Sequence, residues 1–263
     1  MIDLFIEGIG LHGPGLESWE ASAPVLRGEA PYQDAPPSLP ASPLLPAAER
    51  RRAPKIVRLA LAAGTEAFCI SGRSPAETAT IFTSSGGDGE TIHDILSTLA
   101  TPPRELSPTR FHNSVHNAAA GYWSIATGAT APSTSLCAHD DSFAAGLLEA
   151  AAQATATGQP VALIAYDVPY PVPLARVRPI GAVFGVAFVL SPIEGPASIA
   201  RLSLALQPYA APSQAPALLE PLRRATPAAR SLPLLAALAH GVERSVTLGY
   251  LDDMSLLLHL SPP

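Results

Sequence analysis

The chain has 263 residues, 48% hydrophobic and only 14% charged, with a formal net charge of −6. That length allows one large domain or two small ones, and the acidic balance, with a pI near 5.6, argues against a nucleic-acid partner, which would call for a basic face. A soluble chain usually carries charge on roughly a quarter of its residues, so this one either has apolar surface that a partner covers or is simply rich in Ala and Pro.

Two cysteines, Cys69 and Cys137, sit far apart. This is neither a disulfide framework nor a zinc pattern, and both thiols are expected to be reduced. Met1 to Glu7 carries two acids and no basic region, unlike a signal peptide, and no apolar run is long and charge-free enough to span a bilayer. A cytoplasmic protein is expected. The one basic cluster, Arg50 to Arg52 with Lys55 and Arg58, reads as a solvated face or as a surface for an acidic carrier protein.

In chain order, Ile2 to Ile9 predicts a buried strand, ended by a turn through Gly10 to Gly15, and a short helix follows from Trp19 to Leu26. Pro31 to Pro46 predicts an extended loop. One helix is expected from Ala47 through Phe68, because Ile56, Leu59, Ala60, Ala63 and Ala67 recur at helical spacing. Thr78 to Thr83 predicts a strand, Ser84 to Gly89 a tight turn and Glu90 to Leu99 a helix. Helix is expected again over Asn113 to Ala126, then a strand over Ser133 to Cys137. Ser142 to Thr157 predicts a helix closed by Gly158, and Val161 to Tyr166 an apolar strand. Val183 to Leu190 and Ile199 to Leu206 read as a strand pair. Short helices over Ala217 to Arg224 and Leu232 to His240 and a closing pair of strands within Ser245 to Leu260 complete the chain. Apolar strands alternating with helices predict an α/β sheet covered on both faces.

Three patterns bear on chemistry. His112 and His116 stand four apart, on one face if helical, and Asp140 or Asp141 could add a third metal ligand; yet Asn113 occupies the place of the general-base Glu in a His-Glu-x-x-His site. Capping or polar packing is the competing reading. Ser84 to Gly89 lacks both the Lys and Ser/Thr of a P-loop and the Gly-x-Gly-x-x-Gly pattern. No cofactor is therefore expected. Cys137 ends a strand just before a helix, where a helix N-terminus favours a thiolate and supplies N–H donors, although a buried inert thiol fits the same position.

The stretch Phe111-His112-Asn113-Ser114-Val115-His116-Asn117-Ala118-Ala119-Ala120-Gly121-Tyr122-Trp123-Ser124-Ile125-Ala126-Thr127-Gly128 resembles the segment that ketosynthases of the thiolase superfamily carry before their active-site strand. Asp141 to Ala150 resembles the helix that their nucleophilic Cys begins, Val161 to Asp167 the next strand, and Gly181 to Leu190 the glycine-rich strand closing the N-terminal half. The likeness covers residues 1–206 and is nearest to short ketosynthase-like chain-length factors of aryl-polyene-type biosynthesis. It implies a thiolase-like layered α/β/α fold in a single domain over 1–263, with a core at 1–206 and a short extension at 207–263.

Two departures bear on activity. Counting back from Gly146, the ketosynthase Cys falls on Ala138, with Cys137 one place early. The His-Gly-Thr and Asn-His motifs of a ketosynthase have no counterpart, since His240 precedes Gly241-Val242 and His259 precedes Leu260-Ser261. The resemblance thus implies a non-catalytic subunit, pairing with a full-length ketosynthase to elongate a polyketide, aryl polyene or fatty-acid-like chain on acyl carrier protein. The tunnel and interface residues it implies are Phe111, His112, Asn113, His116, Asn117, Tyr122, Trp123, Ser135, Cys137 and Phe143. The alternatives are an acyl-thioester enzyme using Cys137 with His112, His116 or His139, and a metal-dependent hydrolase built on His112 and His116.

Overall fold

The computed structural model describes residues 1–39 and 42–263; Pro40 and Ala41, in the expected Pro31–Pro46 loop, lie outside the described residues. The elements in chain order are β1 (Ile2–His12), α1 (Trp19–Leu26), α2 (Ala47–Arg52), α3 (Lys55–Ser71), β2 (Ala79–Thr83), α4 (Gly89–Ala100), α5 (Pro108–Asn113), α6 (Ala118–Thr127), β3 (Ser133–Leu136), α7 (Ser142–Thr157), β4 (Val161–Asp167), α8 (Leu174–Val177), β5 (Phe184–Ser191), β6 (Ala200–Pro208), α9 (Glu220–Ala225), α10 (Leu232–His240), β7 (Arg244–Tyr250) and β8 (Met254–Ser261). The eight strands among the described residues form one sheet in the order β3-β2-β4-β5-β1-β6-β8-β7. The β3-β2-β4 block is parallel and every other pairing is antiparallel.

Helices cover both faces. One core places α7 and α10 against the sheet, and a second lies beneath α3 and α6. All seven residues of β4 are buried, as a strand covered on both faces requires.

β1 runs three residues past its expected end, so Gly10, Leu11 and His12 are strand rather than turn. Its glycines serve close approach. A Cβ on Gly8 would stand 2.0 Å from the carbonyl oxygen of Ala67, and one on Gly10 1.9 Å from that of Ala63, so α3 can lie directly on the strand. A bulge makes this possible. The pairing with β5 skips Glu7, between Ile6 and Gly8. That single-residue shift lets Leu4 and Ile6 before it, and Ile9 and Leu11 after it, enter the same core.

β5 and β6 are not a pair; β1 lies between them and bonds to both. The Ile199 N–H donates to the Ile6 carbonyl, which starts β6 on β1 instead of on β5. The helix expected over Ala47–Phe68 is two helices. Pro54 holds Ala53 in an extended conformation, ψ 116°, and α3 starts afresh at Lys55. The helix expected over Asn113–Ala126 is likewise divided, into α5 and α6. α5 begins at Pro108, where Ser107 caps it and proline suits the first turn. The helix expected at Ala217 begins at Glu220. Residues 207–263 continue the same sheet through β8 and β7, and Leu232, Leu235, Leu256 and Leu258 enter the core that holds Leu4 and Phe188. No helix among the described residues is long and apolar enough to cross a membrane.

Candidate functional site

The parallel strands β3, β2 and β4 end on the same side of the sheet, the side where open α/β sheets generally place ligands. Three connections meet there: Cys137–Asp141 after β3, Ser84–Asp88 after β2, and Val168 onward after β4.

After β3, Cys137 is exposed and Ala138 half-buried. The expected strand end is corrected by one residue, since β3 stops at Leu136 and Cys137 begins the turn. His139 adopts φ 50°, uncommon outside glycine, and the 3₁₀ turn His139–Asp141 leads into α7. Ser142 holds this bend: its hydroxyl accepts from the Ala138 N–H at 3.0 Å and donates to the His139 carbonyl at 2.7 Å. The turn is flanked by charge pairs. Arg178 Nη2 lies 2.6 Å from Asp140 Oδ1, and Arg230 reaches Asp140 Oδ2 at 2.8 Å and Asp141 Oδ1 at 2.7 Å. His139, 72% exposed at its side chain, stands 3.7 Å from Asp140.

After β2, the glycines make room for a tyrosine. A Cβ on Gly86 would lie 2.0 Å from the Tyr170 hydroxyl oxygen, and one on Gly89 2.3 Å from its ring. Asp88 caps α4 through the Thr91 N–H at 3.1 Å. Burial raises the Tyr170 phenol above its ordinary value.

After β4, Asp167 is fully buried. Its Oδ1 accepts from the Ser85 N–H at 2.8 Å and the Ser84 hydroxyl at 3.2 Å, and its Oδ2 from the Ala228 N–H at 2.8 Å. Burial, only partly offset by these donors and by Arg178, pushes its carboxyl up to about 7. Sequence reasoning passed over Asp167, Arg178 and Arg230. The available signal was a lone acid closing an otherwise apolar strand; the arginines carried none, because their partners are distant in sequence.

The break between α5 and α6 separates the two histidines that were expected to share a helical face. His112 packs edge-on to Tyr122 at 6.2 Å between ring centroids, and His116 Nε2 lies 3.3 Å from the Ser84 carbonyl oxygen. Among the described residues no three His, Cys, Asp or Glu side chains are grouped to hold a metal ion. Asn113 is buried and ties three elements, donating to the Arg52 carbonyl at 3.1 Å and accepting from the Tyr122 hydroxyl at 3.1 Å. Trp123 sits between Phe68 and Phe82 at centroid distances of 5.4 and 6.3 Å, whereas Phe143 packs on Phe188 at 6.1 Å in the other core. Tyr122, Trp123 and Phe143 are thus buried on two faces of the sheet and form no single cluster. Phe111 is 64% exposed, Asn117 is exposed before α6, and Ser135 is half-buried on β3. Ile92, Leu96 and Leu99 of α4, with Phe111, Val115 and Ile125, expose further apolar surface.

The family profile for the beta-ketoacyl synthase N-terminal domain matches residues 19–247. Among solved structures, the chain is similar to one in the complex of the ketosynthase ApeO with its chain length factor ApeC from Xenorhabdus doucetiae. The two share 25% identity and a TM-score of 0.74, over 98% of this chain and 100% of that one. It is similar in fold to a chain of the ishigamide ketosynthase/chain length factor, with 15% identity and TM-score 0.73 over 100% and 99% of the two chains. A beta-ketoacyl synthase from Burkholderia phymatum STM815 matches at 16% identity and TM-score 0.63, over 92% of this chain and 72% of that one. No curated protein sequence matches. With the profile covering most of the chain, and with helices layered on both faces of the sheet in a thiolase-like α/β arrangement, the chain belongs to the beta-ketoacyl synthase N-terminal domain family.

Proposed function

We propose that this chain is a chain-length factor, a subunit without condensing activity that pairs with a ketosynthase and bounds the acyl chain extended on an acyl carrier protein. One observation carries the reading: the strand–helix junction holds the Arg178–Asp140–Arg230–Asp141 charge pairs and no imidazole-paired thiol. Decarboxylative condensation needs a thiolate to carry the acyl group and free donors aimed at a developing enolate and oxyanion. Here both arginines are committed to carboxylates, and the carboxylates themselves would repel an enolate. The likeness to a chain of a ketosynthase–chain length factor complex supports the same reading. So does exposed apolar surface on α6, which contacts the edge strand β3, and on α4 and the α5–α6 turn, which a partner would cover. The product class, a polyketide, aryl polyene or fatty-acid-like chain, belongs to this proposal.

The test is coexpression with a full-length ketosynthase. A heterodimer that survives size-exclusion chromatography is expected, with elongation lost when the partner's nucleophile is removed. A stable monomer that ignores the ketosynthase overturns the proposal. The competing reading rests on Cys137 and His139 being exposed on the same turn. Acylation of Cys137 by an activated acyl thioester, abolished by Cys137→Ala, would favour it.

A further inference from the structure

Asp167 joins segments that the chain otherwise keeps apart. Its carboxylate grips the backbone at Ser85 and the hydroxyl of Ser84 on one side, and the backbone at Ala228, 61 residues onward, on the other. The hold extends outward. The Ser84 hydroxyl oxygen also accepts from the Gly87 N–H at 3.1 Å, and the Ser84 carbonyl meets His116 in the α5–α6 turn. The Ser85 hydroxyl accepts from Arg178 at 2.6 Å, and Arg178 continues to Asp140 in the strand–helix junction. On the other side Ala228 begins the 3₁₀ turn Ala228–Ser231, from which Arg230 reaches Asp140 and Asp141.

We propose that Asp167 is the positioning residue of this end of the sheet, setting the loop after β2 and the Ala228–Ser231 turn against the strand–helix junction. The inference is independent of which partner, if any, covers the surface. The site presents only donors to the carboxylate, which suits an anion, but water is excluded, and an anion gains hydration whenever the hub opens. The titratable groups within electrostatic reach of it are Arg178, whose charge favours the ionised form, and the phenols of Tyr170 and of Tyr166 on the opposite face of β4. With the folded carboxyl up to about 7 and its ordinary value at 3.8, an opening that hydrates Asp167 becomes easier as pH rises between those values and levels off above the higher one.

The experiment is amide hydrogen exchange on the full chain from pH 5 to pH 8, read at Ser85 and Ala228 and corrected for intrinsic base catalysis. Wild-type protection is expected to fall by at least about tenfold over this range and then to level. Asp167→Asn keeps acceptors for Ser84 and Ser85 but turns an amide N–H₂ toward the Ala228 N–H, and it cannot ionise. Its protection should start lower and change by less than about threefold. A pH-independent wild type, or an Asp167→Asn profile parallel to wild type, overturns the proposal. Should the variant not fold, the wild-type series decides by itself. Failure to bind a ketosynthase would leave the profile untouched, so this inference and the chain-length-factor reading stand or fall separately.

Discussion

At the scale of single residues, the aromatic side chains divide by burial. Trp123 is wedged among Phe68 and Phe82, and Gly64 leaves the gap its ring fills. Trp123→Ala should cost roughly 3–5 kcal/mol in urea unfolding, the usual effect of emptying a core aromatic site. Phe111, 64% exposed, lacks such packing, and Phe111→Ala should change the unfolding free energy by less than about 0.5 kcal/mol. Phe111 is therefore the aromatic whose truncation tests chain-length control cleanly: with the complex intact, mass spectrometry should show longer products. Cys137→Ala in the reconstituted pair should reduce elongation by less than about tenfold, because losing a true nucleophile costs several times the 1.4 kcal/mol that tenfold represents. Glu7, with a fully buried side chain, is matched by a bidentate Arg73 at 2.7 Å on both oxygens. Removing the partner of a buried charge costs about 3–5 kcal/mol, and Arg73→Ala should lie at the low end because Arg73 is 40% exposed.

Among elements, the contact of α3 with β1 governs the packing of one face of the sheet. Gly10→Ala would drive a methyl group into the Ala63 carbonyl, a backbone atom that cannot swing aside, so α3 must lift. A loss of about 3 kcal/mol or more in thermal or urea unfolding is expected, at or above the usual cost of overpacking. α9 is held differently. Glu220 accepts from Arg223, from Arg224 and from the Ala215 N–H, and these contacts, Arg223 first, hold its carboxyl down at about 2. A depressed carboxyl lends stability above its unfolded value near 4.5 and loses it as pH falls through about 2. Exchange protection at the Ala215 amide should therefore weaken on acidification in wild type and already be weak in Glu220→Gln.

For the whole molecule, the two edges of the sheet differ. At β7 the Ser213 N–H donates to the Thr247 carbonyl at 2.8 Å, and the Thr247 N–H donates to the Ser213 hydroxyl at 3.0 Å, so the 209–215 segment partly covers that edge. At β3 no further strand pairs among the described residues, and the neighbouring helix α6 exposes Ile125. Leu96→Glu combined with Ile125→Glu should leave the isolated chain's unfolding midpoint unchanged and weaken ketosynthase binding by at least about tenfold, measured by size-exclusion chromatography and calorimetry. Unchanged binding would move the interface elsewhere. Asp167 and Glu220 titrate with opposite effects. The Asp167 contribution is full below 3.8 and is lost as pH rises through about 7, whereas that of Glu220 is lost toward acid. Together they favour a stability maximum at about pH 4, between their two unfolded values, which pH-resolved denaturation would reveal.

Local pattern alone determined most of the elements. Leu232–His240 falls where helical spacing put it, Ser142–Thr157 ends at Gly158 as expected, and the apolar strands lie close to their expected bounds. These features depend on neighbours within a turn or two, and their residues carry that information directly. The motif stretch also carried the family, through residues read one after another. What depends on distant partners stayed hidden. Pro54 divides one helix that periodicity joins, since apolar spacing is blind to a missing amide hydrogen, and the bond from Asn113 at the end of α5 to Arg52, 61 residues away, is equally invisible to it. The insertion of β1 between β5 and β6 and the two-sided grip of Asp167 are hydrogen-bond pairings across the folded chain. A strand's sequence specifies which of its faces is apolar, but only the assembled sheet decides which strand bonds to each edge and which buried acid meets which amide.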